Sequence, residues 1–149
     1  MIGDVMSLSD QEKIAIAKDY FRLADAGDPR LMELFHEDAT FYFPKFGIGR
    51  GRTSIFDMVK GFEGILEWIR HDQATLVFIP SGDRIAVEGV SNGRMSGAMW
   101  AGGATPGGRF CNVFEFRDGR IARLHIYLDP DYLGEDEPRF RWGRAGREW

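Results

Sequence analysis

The sequence predicts an α+β domain in which helices pack on one face of a curved sheet. Three observations carry that prediction. A capping box opens an amphipathic helix near the start, alternating strands flank an Asp118-Gly119 turn near the end, and the helical segments precede most of the strands. A chain of 149 residues has room for one core and not for two.

Ser9-Asp10-Gln11-Glu12 is the capping box, in which the serine oxygen and the glutamate three residues on satisfy orphan backbone N–H groups. Ile14, Ala17, Phe21 and Ala24, joined by Ile16, Tyr20 and Leu23, then give a wide apolar stripe at helical spacing. Gly27 supplies the left-handed residue that ends it, so Asp25 falls in the last turn. Asp28-Pro29 restarts the chain as N-cap and first helical residue of a short second helix with Leu31, Leu34 and Phe35 buried.

Thr40 to Phe43 alternates as a strand until Pro44 removes a ladder donor, and Gly47, Gly49 and Gly51 read as a loop. Thr53 or Ser54 caps a long third helix whose residues Ile55, Val59, Phe62, Leu66 and Ile69 fall at alternating steps of four and three. Thr75 to Ile79 and Arg84 to Val90 are strands around a Ser81-Gly82-Asp83 turn, paired antiparallel. The glycine-rich stretch from Ser91 to Gly108 predicts a continued strand and then a mobile loop.

Arg109 to Phe116 and Arg120 to Leu128 form a hairpin around Asp118-Gly119, where both turn positions need positive φ. That turn sets Phe116 opposite Ile121. Counting back in a regular ladder puts Asn112 opposite His125 and Phe110 opposite Tyr127, with Phe114 on the same face. A three-residue bulged turn would shift the pairing by one.

Composition bounds the function. The formal charge of −4 and pI near 5.4 oppose a general nucleic-acid binder, whose affinity rests on a basic surface. Cys111 is the one cysteine, which excludes an internal disulfide and fits a reducing, cytoplasmic setting. Met1 to Met6 carries no signal pattern, and no stretch reaches the ~18 apolar residues of a membrane span. His36, His71 and His125 are scattered without HExxH spacing, so no metal is expected. Gly47-Ile48-Gly49-Arg50-Gly51-Arg52 lacks the lysine of a phosphate loop and reads as a connection.

The order of elements, Tyr20-Phe21-x-x-x-Asp25-x-Gly27-Asp28, Leu34 to Ala39, Gly49-Arg50-Gly51 and Asp118 to Ile121 resemble the SnoaL-like proteins of the nuclear transport factor 2-like superfamily. The resemblance covers about residues 10 to 133, leaving 134–149 as an extension expected to dock on the domain or a partner subunit. It implies a cone-shaped α+β barrel, with three helices on a strongly curved, mainly antiparallel sheet and a small-molecule pocket between them. Members include polyketide cyclases, ketosteroid isomerases, scytalone dehydratase, limonene epoxide hydrolase and non-enzymatic binding proteins. Most need no cofactor, and outer-face pairing into a homodimer is common.

The resemblance also implies roles. Asp25 and His71 match in rough position the aspartate-histidine pair of scytalone dehydratase, where the carboxylate orients an imidazole that moves a proton. The same residues also read as a solvated helix end and a surface histidine. Asn112 falls where ketosteroid isomerases hold an oxyanion-stabilising acid, and an amide donates there too; a satisfied core asparagine is the alternative. His125 and Tyr127 would join Asn112 if the regular register holds, or else face outward. The arginine flanked by acids that limonene epoxide hydrolase uses is missing from Ala86 to Val90. Tyr20, Phe43, Phe56, Phe62, Trp68, Met95, Trp100, Phe110 and Phe114 are the candidate walls, each equally readable as core. The expectation is proton transfer on a hydrophobic small molecule, with a non-catalytic binding module as the alternative.

Overall fold

The computed structural model describes residues 7–141 and 146–149. The leader reading of Met1 to Met6 and the 142–145 part of the 134–149 extension lie outside the described residues.

Helix α1 (Asp10–Ala26) begins at the expected capping box: Ser9 Oγ accepts from the Glu12 amide, and Glu12 returns the bond to the Ser9 amide. It ends on Gly27 at φ 62°, where an L side chain would be strained. Pro29–Leu34 is a 3-10 helix capped by Asp28. Then come β1 (Phe35–Phe43), β2 (Gly47–Arg50), α2 (Ser54–Lys60), β3 (Leu66–His71), β4 (Val77–Ser81), β5 (Arg84–Met95), β6 (Ala98–Ala101), β7 (Arg109–Arg117) and β8 (Arg120–Leu128).

Several expectations are corrected here: Phe35 opens β1 instead of closing the second helix, and β6 stands within the expected glycine-rich loop. The loop at Gly47 is a strand, β2, paired antiparallel with β1. The long third helix is two elements: α2 stops at Gly61, and Leu66–His71 is β3, paired with β5. A bulge between Leu66 and Trp68 explains the misleading spacing, since the extra residue lets Leu66 and Ile69 share one face of a strand three residues apart.

The sheet runs β2-β1-β8-β7-β5-β3, with β4 and β6 also on β5, and only β1 and β8 pair in parallel. It is curved and unclosed, and with the helices laid against its inner face it forms the cone that the sequence predicts. Ala17, Tyr20 and Phe21 of α1 bury against Phe41, Ile85, Phe114 and Leu124 of the sheet.

The final hairpin turns as expected, with Asp118 at φ 52° and Gly119 at φ 76°, and Phe116 faces Ile121. A bulge at Ala122 then shifts the rest: Glu115 pairs with Arg123, Asn112 with Ile126, and Phe110 with Leu128. His125 therefore lies opposite Val113 and Tyr127 opposite Cys111, on the outer face, which corrects their placement beside Asn112.

Candidate functional site

Helix α1, helix α2 and the inner face of the sheet enclose a cavity of about 330 Å³. Of the expected walls, Tyr20, Phe43, Phe56, Phe62, Trp100 and Phe110 line it. Phe114 does not; it lies one layer deeper, edge-on to Tyr20 at 5.3 Å. Trp68 alternates to the far side of β3, where Arg70 packs over its ring at 5.6 Å, and Met95 closes β5 opposite Leu66 and Ala98 away from the lining.

His71, at the end of β3, lines the cavity, and Asp25 from the last turn of α1 meets it. The His71 ring nitrogen Nδ1 is 2.6 Å from Asp25 Oδ1, and the His71 backbone N–H donates to Asp25 Oδ2 at 2.8 Å. A carboxylate only accepts, so Nδ1 carries a hydrogen and Nε2 is the nitrogen left to a ligand. The imidazole is wedged between Phe21 at 4.8 Å and Phe110 at 5.0 Å, which fixes its plane.

Asn112 is the second polar group, 2% exposed on β7 between Phe110 and Phe114. Its amide oxygen is buried without a hydrogen-bond partner among the described residues. Its cross-strand neighbours Val87 and Ile126 are apolar, and the residue itself is part of the cavity lining.

Ser91, Ile55, Leu66, Ile69 and Tyr132 also line the cavity and were not anticipated. Ser91 is already satisfied, because its hydroxyl accepts from the Trp100 indole at 3.1 Å and donates to the Gly108 carbonyl at 3.4 Å. Leu66 and Ile69 were hidden by the helical reading, and Tyr132 by its position beyond the last strand. Burial pushes the Tyr20 phenol pKa well up, aided by the charge of Asp25 and by Tyr132, and burial raises that of Tyr132. Both phenols are therefore neutral donors.

His125 and Tyr127 stand on the opposite face. Arg123 donates to His125 Nδ1 at 2.9 Å, so that nitrogen carries the lone pair and Nε2 the hydrogen. Burial first, then the Arg123 and Arg84 charges, hold this imidazole's pKa below its ordinary value. The Cys111 thiol, on the same outer face, is pushed up by burial and by Glu88 and stays protonated.

Among the described residues, no group of three His, Cys, Asp or Glu is placed to hold a metal ion, and no helix is long and apolar enough to cross a membrane.

No curated protein matches the chain. Among solved structures, a protein from Xanthomonas campestris pv. campestris with a provisional polyketide cyclase name is 16% identical at TM-score 0.70, covering 85% of this chain and 98% of that one. A provisionally named isomerase from Bacillus subtilis is 21% identical at TM-score 0.67, covering 88% and 96%. A nuclear transport factor 2-like protein of unknown function from Burkholderia pseudomallei is 18% identical at TM-score 0.68, covering 82% and 92%. At these identities the likeness is one of fold. The SnoaL-like domain model matches residues 17–124, the stretch that supplies nearly every wall of the cavity, and the chain belongs to the SnoaL-like family.

Proposed function

We propose that this protein is an acid/base enzyme that moves a proton on a hydrophobic, oxygen-bearing small molecule, in an isomerisation, cyclisation or dehydration. The observation that carries this reading is the contact of 2.6 Å between Asp25 and His71 at the cavity wall. A carboxylate that holds Nδ1–H leaves Nε2 as a proton acceptor and stabilises the imidazolium that forms.

The steps follow from the groups present. Nε2 of His71 takes a proton from a carbon activated by a neighbouring carbonyl. The electron pair moves onto the carbonyl oxygen, where Asn112 and the Tyr20 phenol donate hydrogen bonds to the developing charge. The imidazolium then returns the proton, either to another carbon, which isomerises the ligand, or to a departing hydroxyl, which leaves as water. The apolar walls keep bulk water from competing.

The same cavity would serve a non-catalytic binding module. The two readings separate with β-tetralone, a bicyclic ketone with acidic C–H bonds beside its carbonyl. In heavy water the protein should accelerate loss of those C–H signals in proton NMR, and His71→Ala should abolish the acceleration. Binding without any acceleration would leave the module reading standing.

A further inference from the structure

Tyr132 lies in the chain that follows β8, beyond the Asp129-Pro130 strand stop, yet it is only 5% exposed and lines the cavity. The fold holds it there by several contacts. Its ring lies 4.6 Å from Trp100 and 6.3 Å from Phe62. Its carbonyl oxygen sits so close to Gly107 that a Cβ there would stand 2.2 Å away. The Asp131 carboxylate accepts from the Glu135 and Asp136 amides, each at 2.9 Å, and closes the turn just behind it. Further along, the Glu137 carboxylate pairs with Arg147 at 2.8 Å.

For all this packing, the Tyr132 hydroxyl has no hydrogen-bond partner among the described residues, and neither has that of Tyr20, which lines the same cavity. A phenol needs only its ring to pack on Trp100; a phenylalanine would do as well. Neither hydroxyl is among the buried atoms left without a partner, so each opens on the cavity, where a ligand oxygen can take its hydrogen bond.

We propose that Tyr132 is a ligand-contacting residue, its hydroxyl and that of Tyr20 together receiving one oxygen of the bound molecule, so that the site selects a ketone or enol over a hydrocarbon of the same shape. Both side chains line the same cavity of about 330 Å³. Both stay protonated, and so remain donors. Because the Gly107 contact and the Asp131 turn hold Tyr132 in place beforehand, little ordering is left for binding to supply.

This rests on the proposed function only in placing the ligand in this cavity, and it stands whether or not the ligand turns over. The test compares β-tetralone with tetralin, which has the same shape without the oxygen, by isothermal titration calorimetry on the full chain. Wild type should prefer the ketone by about tenfold, the worth of a good hydrogen bond. Tyr132→Phe keeps the ring and its packing, so tetralin affinity should be unchanged while the ketone preference falls by roughly five- to tenfold. His71→Ala should keep the preference while losing proton transfer, which separates this inference from the catalytic one. No ketone preference in wild type, or a full preference retained in Tyr132→Phe, overturns it.

Discussion

Asn112 pairs across the final hairpin with Ile126, and His125 with Val113, so the two polar side chains lie on opposite faces of one ribbon. The bulge at Ala122 is the cause. The division of labour follows: Asn112 belongs to the cavity and His125 to the outer surface.

Replacing His71 by alanine should therefore lower proton transfer by roughly 10² or more, the usual loss on removing a general base. His125→Ala and Tyr127→Phe should leave it within about twofold, as expected of groups that never meet the ligand. Rates of C–H loss from β-tetralone, with folding checked by circular dichroism, decide between the histidines. A large loss in His125→Ala with His71→Ala intact would reverse the assignment.

Asp25→Asn tests the orienting role. The amide is close in shape but offers His71 a different partner, and the doubly held contact is weakened at both the ring and the backbone. We expect a loss of about 1–3 kcal/mol in stability, typical of disturbing a charged, part-buried hydrogen bond. The rate should fall further than occupancy of the folded state accounts for, which a comparison of turnover with urea denaturation measures.

Asn112→Leu should separate stability from binding. It removes a buried, unpartnered amide, so the empty protein should hold or gain stability, with melting rising about 2–4 °C for each kcal/mol recovered. Affinity for β-tetralone should fall. A drop in both would mean that the amide is satisfied within the fold.

His125 gives the pH dependence of stability its sign. Its pKa in the fold is held below the ordinary value, chiefly by burial and then by Arg123 and Arg84. The unfolded chain thus takes up a proton before the folded one does. This part of the stability is complete above the unfolded value of about 6.5 and is lost as pH falls from there through the folded value. Chemical denaturation at stepped pH should show the slope, and His125→Asn should flatten it.

Gly107→Ala should destabilise the protein, because its Cβ would stand 2.2 Å from the Tyr132 carbonyl oxygen and neither backbone yields cheaply. Overpacking of this kind typically costs about 1–3 kcal/mol. Thermal melting measures it.

Much of this was legible in the chain. The Ser9-Glu12 box, Gly27 and the Asp118-Gly119 turn each state a local backbone geometry, and all three appear where the sequence puts them. Asp25 and His71 were legible as a pair through the family resemblance. What was hidden has one physical source. At Leu66 to Trp68 and at Ala122 a strand takes in an extra residue, which breaks the two-residue period on which every facing argument depends. The first bulge made a strand resemble a helix; the second sent His125 and Tyr127 outward. Tyr132 was hidden differently, since nothing in a single residue after a strand stop says which way the chain turns.

The position of β8 bears on how the protein is made. The last of the described strands sits between β1 and β7, so a ribosome that has released everything up to Arg117 has produced two pieces of sheet with no strand to join them. The β1-β2 ribbon and the β3-to-β7 group each expose an unpaired edge until residues 120–128 emerge, and closing the gap brings together positions some 80 residues apart in the chain, as Phe41 and Leu124 are. Folding during synthesis thus waits for the final strand, and a nascent chain stalled in that hairpin offers open β edges to chaperones or to its neighbours.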